Sequence, residues 1–195
     1  MRFERIAVGE LQANCYVLFD PQRSDAVVID PGAEEPAIRL ALSGRSIAAI
    51  LLTHGHYDHI GAVAALRADG APVYIHAGDA PMLTNPLYSL AAMFSGKDSQ
   101  GEADALLKDG QRLSLAGLDI GVLHTPGHTK GSCCFLVEDT LFSGDTLFRF
   151  GYGRTDLPGG DEGALFDSLK RLFALDAAVS VQPGHGAPTT IGAER

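Results

Sequence analysis

The sequence predicts an α/β fold in which two β-sheets pack face to face beneath outer helices. Two observations carry this prediction. Short apolar runs with strand character occur in both halves of the chain. Each half also contains a segment with helical apolar spacing, at 34–42 in the first half and at 162–172 in the second. The length of 195 residues suits a single domain, residues 1–195, with a substantial buried core.

The first half alternates predicted strands and helices. Turn residues separate these segments, most clearly the run at 20–24 and the Asp30-Pro31-Gly32 turn. The predicted strands lie at 5–8, 15–19, 26–29, 47–52 and 73–75, and the predicted helices at 34–42 and 60–68.

Residues 85–108 are less regular, because proline and glycine interrupt an apolar patch there. Two interpretations stay open for Tyr88, Met93 and Phe94. These side chains form either a flap over the functional site or an ordinary patch of core.

The second half returns to strands, with a glycine-rich loop and a helix near its end. The predicted strands lie at 112–115, 118–123, 132–137, 140–142 and 179–181, the loop at 151–160 and the helix at 162–172.

Composition excludes several classes of function. The formal net charge is −9, which disfavours a nucleic-acid partner because phosphate binding needs a cationic face. Basic residues are scattered, no apolar stretch reaches membrane-spanning length, and the start of the chain is too charged to open a signal peptide. Cys15, Cys133 and Cys134 are a poor disulfide framework. We therefore expect a soluble, cytoplasmic protein with no membrane partner.

The segment from Thr53 to His59, Thr-His-Gly-His-Tyr-Asp-His, carries the strongest chemical signal. It lies between a predicted buried strand and a predicted helix. Imidazole and carboxylate are the ligands expected for zinc, iron or manganese. The density of these groups predicts a metal site rather than a solvated polar loop.

Three later segments share one form, in which a strand ends, a glycine follows, and a ligand-type residue comes next. Glycine allows the sharp turn and the close backbone approach that such a site needs. The residues divide into two ligand sets joined by one bridging carboxylate. One ion is expected at His54, His56 and His128, the other at Asp58, His59 and His185, with Asp145 between them.

This order of residues resembles the metallo-β-lactamase superfamily, which is marked by a His-x-His-x-Asp-His segment and a later His, Asp and His. The resemblance covers almost the whole chain. It implies a four-layer αβ/βα sandwich with the site at one edge of the two sheets. Asp145 stands where the zinc β-lactamases of one subclass carry cysteine, so antibiotic cleavage is not expected.

Within that superfamily, the stretches 144–148, 153–156 and 159–160 are similar to the glyoxalase II branch, in particular the short bacterial hydroxyacylglutathione hydrolase type that lacks a C-terminal helical domain. The resemblance implies hydrolysis of a small-molecule thioester. Arg154 matches a glutathione-binding lysine of full-length members, whereas Asp156 departs from the tyrosine found nearby. We expect Arg154 and Tyr57 to contact substrate.

The expected mechanism uses two divalent metal ions, zinc first, with iron and manganese as alternatives. Paired cations lower the pKa of a shared water toward about 7, and the resulting hydroxide attacks the carbonyl. Asp58 and Asp145 are the expected catalytic residues. Two alternatives stay open: a mononuclear iron persulfide dioxygenase, which the Gly-Arg-Thr-Asp stretch at 153–156 also resembles, and a hydrolase of another ester or lactone. A non-catalytic metal-binding domain is a third hypothesis.

Asp30 has two interpretations that the sequence leaves open. Either it contacts a metal-bound histidine at the ring nitrogen that does not bind the metal, or it only forms the turn before Pro31. His76 and His124 lie on predicted apolar strands and are expected to be structural.

Overall fold

A computed structural model of the protein describes residues 1–94 and 99–195, and in these residues it contains two six-stranded sheets and a short hairpin. The first sheet has the order β1-β2-β3-β4-β5-β6, and the second β14-β13-β10-β9-β8-β7. The strands of the first sheet are β1 Arg2–Val8, β2 Ala13–Phe19, β3 Asp25–Ile29, β4 Ser46–Leu51, β5 Val73–His76 and β6 Ala105–Leu107. Those of the second are β7 Arg112–Leu115, β8 Leu118–His124, β9 Cys133–Val137, β10 Thr140–Gly144, β13 Ser180–Pro183 and β14 Thr189–Thr190, and the hairpin pairs β11 Leu147–Phe148 with β12 Gly151–Tyr152.

The helices lie outside the two sheets. Those associated with the first sheet are α1 Glu35–Leu42, α2 Tyr57–Ile60, α3 Val63–Arg67 and α4 Ala91–Phe94, together with a 3-10 turn at Ala80–Leu83. Those of the second half are α5 Glu162–Phe173 and α6 Ile191–Glu194. No helix in the described part of the chain is long and apolar enough to cross a bilayer.

Three hydrophobic cores separate four layers of structure. Ile38 and Leu66 belong to the core between the first sheet and α1–α3. Phe135 and Phe142 belong to the core between the two sheets. Leu165 belongs to the core between the second sheet and α5. This arrangement confirms the predicted αβ/βα sandwich.

Helix α5 shows why the chain forms these outer layers. Asp161 caps its first turn, because the side chain accepts a hydrogen bond from the Ala164 N–H at 2.9 Å. Leu165, Leu169 and Leu172 recur at helical spacing and are buried, and two basic residues occupy the last turn. The helix therefore covers the second sheet with one apolar face.

The predicted helix at 60–68 is wrong in detail, because two short helices, α2 and α3, occupy this region. The first begins earlier than predicted, at Tyr57. The break between them falls where the Ala62 N–H donates to the Pro31 carbonyl at 2.9 Å instead of continuing the helix. Gly61 packs directly on the backbone of Gly32, so the helix turns where the chain contacts the loop after β3.

Two predicted irregular regions contain elements that the sequence did not reveal. Residues 85–108 include α4 and β6, and the glycine-rich loop 151–160 begins with β12. The interpretation of Tyr88, Met93 and Phe94 as core is wrong, since they are 56%, 72% and 64% exposed. Part of the proposed flap, residues 95–98, lies outside the described residues.

The pairing of the strands brings several strand ends to one edge of the molecule. β3 and β4 are parallel, as are β10 and β13, and β8 is antiparallel to β9, which is antiparallel to β10. The carboxyl ends of β8, β10 and β13 therefore point the same way, and the end of β4 in the first sheet meets them. Backbone hydrogen bonds join the sheets there, from Cys133 N to Thr53 O at 2.7 Å and from Asn14 N to Gly184 O at 2.6 Å.

Candidate metal centre

Four loops at this shared edge carry the ligand-type residues predicted from the sequence. The segment 53–59 follows β4 and includes the start of α2, and the others follow β8, β10 and β13. The seven predicted ligands all lie on these loops. They are His54, His56, Asp58 and His59 after β4, His128 after β8, Asp145 after β10, and His185 after β13.

The first group consists of His54, His56 and His128, whose ligand atoms lie within 4.8 Å of one another. His56 Nδ1 and His128 Nε2 are 3.0 Å apart. In two of these rings, the nitrogen that faces away from the group contacts a neighbouring residue. His128 Nδ1 donates to the Arg154 carbonyl at 2.8 Å, and His54 Nδ1 lies 3.0 Å from Thr53 Oγ1. These contacts orient the Nε2 atoms of both rings toward the centre of the group.

The second group consists of Asp58, His59 and His185, again with ligand atoms within 4.8 Å. His185 Nε2 is 3.2 Å from Asp58 Oδ2 and 3.3 Å from His59 Nε2. His59 Nδ1 contacts Asp30 Oδ2 at 3.0 Å, and His185 Nδ1 donates to the Leu11 carbonyl at 3.1 Å. The outer nitrogens are again fixed, so the Nε2 atoms face inward.

Asp145 lies between the two groups. Its Oδ2 is 3.6 Å from His128 Nε2 and 3.5 Å from His185 Nε2, and its Oδ1 is 3.4 Å from His59 Nε2. One carboxylate therefore contacts both groups, as a bridging ligand would.

Four buried side-chain polar atoms in the described residues have no hydrogen-bond partner. One is Arg45 Nε, and the other three belong to predicted ligands: His54 Nε2, His56 Nε2 and Asp145 Oδ1. Buried polar atoms are normally paired, so such a cluster needs an explanation. Imidazole nitrogen and carboxylate oxygen are the donors that divalent transition metals take. The residues therefore fit a metal centre.

The two groups differ in their electrostatics. Burial lowers the pKa of His54, and it lowers that of His56 to about 3, so both rings are neutral. Burial also acts to lower the pKa of His59, but Asp145 and Asp58 outweigh it and raise that pKa to about 10. Ligation by His59 therefore requires loss of its proton, and metal affinity at the second group should rise with pH.

Asp30 makes side-chain contacts in addition to occupying a turn. Its carboxylate accepts from the Thr53 N–H at 2.8 Å and from Thr53 Oγ1 at 2.5 Å, and it contacts His59 Nδ1. Because Thr53 Oγ1 donates to Asp30, it accepts from His54 Nδ1, which leaves the lone pair on His54 Nε2. Of the two interpretations left open by the sequence, the structure supports contact with the ligand histidines.

Two glycines before predicted ligands are required by close approach. A Cβ at Gly184 would overlap Asp145 Oδ1 and lie 2.9 Å from the His59 ring. Gly144 has a φ of 48°, and a Cβ there would overlap the side chain of Thr53. The glycines in the motif thus let two strand ends and the 53–59 loop meet at one point.

Three buried residues that hold the ligand loops were not predicted from the sequence. Asn14 Nδ2 and Tyr16 Oη both donate to the Pro183 carbonyl, at 2.9 and 2.7 Å. Asp79 accepts from the backbone of the 53–59 loop. Asn14 and Tyr16 lie about 170 positions from their acceptor, so no local pattern indicates them. Asp79 does follow a strand and a glycine, the same form that marks Asp145.

Tyr57 is next to the centre, at the wall of a cleft. Its ring stacks on Phe94 with a centroid distance of 5.2 Å, and both line a cavity of about 600 Å³ that also reaches Asp58. The predicted contact between Tyr57 and substrate stays a prediction, and the cleft gives it a location.

Arg154 is exposed and forms a bidentate ion pair with Asp156, with both N···O distances at 2.7 Å. Its backbone carbonyl holds His128. His76 and His124, by contrast, stack on each other at 3.9 Å and belong to neither group.

Comparison with known proteins agrees with this geometry. A sequence model of the metallo-beta-lactamase superfamily matches residues 8–185, a range that includes all seven ligand-type residues. The chain belongs to this superfamily. Membership in a superfamily of metallo-hydrolases supports a metal-dependent hydrolase.

Among the relatives that match over nearly the full length are two with different descriptions. An uncharacterized protein of Mycobacterium leprae is 44% identical, covering 96% of this chain and 92% of the relative. The hydroxyacylglutathione hydrolase GloC of Haemophilus influenzae is 35% identical, covering 100% of this chain and 95% of the relative.

Among the solved structures that share the fold, three illustrate the range of similarity. The BLEG-1 B3 metallo-beta-lactamase has 38% identity and a TM-score of 0.93, covering 98% of this chain and 95% of its own. TTHA1623 in a di-iron-bound form has 42% identity and a TM-score of 0.85, covering 97% and 96%. ETHE1 from Myxococcus xanthus has 31% identity and a TM-score of 0.81, covering 98% and 80%. The di-iron neighbour supports divalent metals at this site.

The similarity to BLEG-1 bears on one expectation from the sequence. Asp145 disfavours antibiotic cleavage only by contrast with the enzymes that carry cysteine there. A protein named as a B3 metallo-beta-lactamase is 38% identical to this chain, so β-lactams belong among the compounds to be tested.

The contact between Gly184 and Asp145 yields a prediction. Gly184→Ala should lower the number of divalent ions retained after gel filtration, because the new methyl group displaces the Asp145 carboxylate. Gly151→Ala is the matched control, since a Cβ there meets nothing within 4 Å. Elemental analysis of both folded variants measures the effect, and equal metal contents would contradict the prediction.

Proposed function

We propose that the protein is a dinuclear thioesterase of the hydroxyacylglutathione hydrolase type. The observation that carries the proposal is the position of Asp145, whose two oxygens contact histidines of both groups. The full-length similarity to GloC, a hydroxyacylglutathione hydrolase, supports the substrate class. The proposed substrate is a small molecule in the cytoplasm, and the net charge of −9 argues against a nucleic acid.

In this proposal, one ion is held by His54, His56 and His128 and the other by Asp58, His59 and His185, with Asp145 as ligand to both. Bound divalent ions supply Lewis acidity, which lowers the pKa of water and stabilises negative charge on a carbonyl oxygen. Zinc is the metal we propose first, with iron and manganese as alternatives.

The surrounding residues keep this centre rigid. Asp30, the Arg154 carbonyl and the Leu11 carbonyl fix the rings of His59, His128 and His185. Such contacts fix the tautomer and the direction of each lone pair, so reorganisation during turnover is small. Asp58 and Asp145 are the proposed catalytic carboxylates because they lie where water and substrate must meet.

A thioester suits this centre for a chemical reason. A thiol has a pKa near about 8.5, so a thiolate departs with little help from a general acid. In the proposed centre the carboxylates and imidazoles serve as metal ligands, so a leaving group that needs no protonation fits best.

The cleft beside the centre limits what part of the substrate it can hold. Glu10, Glu34 and Glu35 line it together with Tyr57 and Asp58. Carboxylates repel an anionic group, so this cleft suits the acyl portion better than a carboxylate-bearing thiol carrier. The carrier is therefore proposed to lie on the opposite side, toward Arg154.

A mononuclear iron dioxygenase acting on a persulfide is the second candidate, favoured by the similarity to ETHE1. Two histidines and one carboxylate suffice to bind such an iron and leave positions open for oxygen. In that case Asp58 and His185 would not be ligands. Their convergence with His59 and Asp145 favours the dinuclear proposal.

Metal content and a substrate panel test these proposals together. We expect two divalent ions per chain after expression in metal-replete medium, and hydrolysis of a hydroxyacyl thioester of glutathione. The panel should include a glutathione persulfide with oxygen consumption as the readout, a lactone and a β-lactam. One iron per chain with oxygen consumption would establish the dioxygenase instead, and turnover of only the lactone or the β-lactam would reassign the hydrolase.

Asp145→Ala should lose at least about 10³-fold in kcat/KM for the thioester, equivalent to about 4 kcal/mol of barrier stabilisation. The reason is that its carboxylate lies between the two groups and is the proposed ligand to both ions. Asp119→Ala is the control, because Asp119 is exposed and pairs with Arg112 on the second sheet. Similar losses in the two folded variants would contradict the ligand assignment.

Arg154→Ala should raise the KM for a carboxylate-bearing thioester about tenfold, or about 1.4 kcal/mol, with a smaller change in kcat. Asp156 competes with the carrier for the same guanidinium, so Asp156→Ala should lower this KM. A neutral thioester of the same acyl group should respond to neither change. If Arg154 only stiffens the loop through Asp156, both substitutions will shift KM in the same direction, and carrier recognition is excluded.

A further inference from the structure

Asp79 is a fully buried carboxylate outside the seven proposed ligands. It lies just after β5, beyond Gly78. Its Oδ2 accepts hydrogen bonds from the Gly55 N–H at 3.1 Å and from Thr129 Oγ1 at 2.6 Å, and its Oδ1 accepts from the Gly131 N–H at 2.7 Å. A buried charge is stabilised by such a set of donors, and this one takes its donors from two separate loops.

We infer that Asp79 is a positioning residue for the first ion, and that it holds the His54/His56 loop against the His128 loop so that three imidazoles converge. This inference rests on the proposed dinuclear centre and specifies how one half of it is built. Asp79 touches no ligand side chain directly, so it acts through the two backbones.

The location of each donor supports this role. Gly55 is the residue between His54 and His56, so its N–H fixes the turn from which both rings project. Thr129 follows His128 directly. The 53–59 loop leaves the first sheet and the His128 loop leaves the second, so the carboxylate joins ligands of different sheets.

The packing around Asp79 brings the segment after β5 into direct contact with the His128 loop. A Cβ on Gly78 would lie 2.9 Å from the Lys130 carbonyl carbon and 3.0 Å from the Gly131 nitrogen. A Cβ on Gly131 would lie 2.7 Å from Asp79 Oδ1. The backbones are therefore in contact, and small displacement of the carboxylate must displace the His128 loop.

A different buried carboxylate, that of Asp30, supports the ligands of the second ion. Asp30 contacts His59 directly and reaches His54 only through Thr53. Two of the three donors to the Asp79 carboxylate, Gly55 and Thr129, are adjacent to ligands of the first ion, and the third, Gly131, lies on the His128 loop. Loss of Asp79 should therefore weaken the binding of the first ion selectively. A general loss of folding stability would not produce this selectivity.

Asp79→Asn is the main variant, because asparagine has nearly the same shape but only one acceptor oxygen. Its amide NH₂ must face either the Gly131 N–H or the Gly55 N–H, so at least one backbone N–H loses its acceptor and the connection between the two loops is weakened. Thr129→Val removes a single donor and should give a smaller effect of the same kind. Asp109→Asn is the control, since Asp109 also binds a backbone N–H, that of His124, and an arginine, but no ligand loop.

The measurement is the Kd of each zinc ion by competition with a chromophoric chelator, with circular dichroism to confirm folding. We expect Asp79→Asn to raise the Kd of one ion about 10- to 100-fold, and that of the other ion less than about threefold. Asp109→Asn should lower Tm without changing either Kd. Combining Asp79→Asn with His185→Ala should then leave no tight ion, whereas combining it with His128→Ala should leave one.

Several outcomes overturn the inference. They are unchanged zinc affinities in a folded Asp79→Asn with only a lower Tm, equal weakening of both ions, or loss of the ion that depends on His185. If the wild-type chain binds one zinc ion, the dinuclear proposal fails. The inference about Asp79 still holds in that case if Asp79→Asn weakens the same ion that His128→Ala removes. If His128→Ala leaves that single ion in place, both proposals fail.

Discussion

The candidate centre draws four of its seven ligand-type side chains from the first sheet and three from the second, so its geometry depends on the register of the sheets at their shared edge. Two backbone hydrogen bonds set that register, Cys133 N to Thr53 O and Asn14 N to Gly184 O. Both lie within a few residues of ligands. The core between the sheets holds them together over their whole area, but these bonds decide where the ligand loops meet.

Much of this arrangement could be predicted from the sequence because the ligand-type residues lie in short, recognisable sequence segments. The 53–59 loop and the Gly-His or Gly-Asp segments at 128, 145 and 185 combine a strand end, a turn residue and a ligand. Contacts between distant segments could not be predicted in this way. Asn14 donates to a carbonyl 169 residues away. The break between α2 and α3 arises from contact with Pro31, which helical spacing does not record.

The donor set alone does not select a reaction. A protein named as a β-lactamase, one named as a hydroxyacylglutathione hydrolase and one named ETHE1 all share at least 31% identity with this chain. Selection among thioester, lactam and persulfide must then come from groups around the metals. The candidate groups are the acidic cleft at Tyr57, the Arg154 and Asp156 pair, and the hairpin at 147–152, in which Phe150 is 83% exposed.

The distribution of ligands along the chain also has a consequence for protein turnover. His59 and His185 are 126 residues apart and meet at one point. In the proposed centre, an ion bound there cross-links distant segments in the folded chain and has no comparable site in the unfolded chain. Binding therefore adds to folding stability by mass action, by about 4 kcal/mol when free metal is 1,000 times Kd. Metal scarcity in the cell would then lower the amount of this protein through proteolysis, in addition to lowering the activity of each molecule.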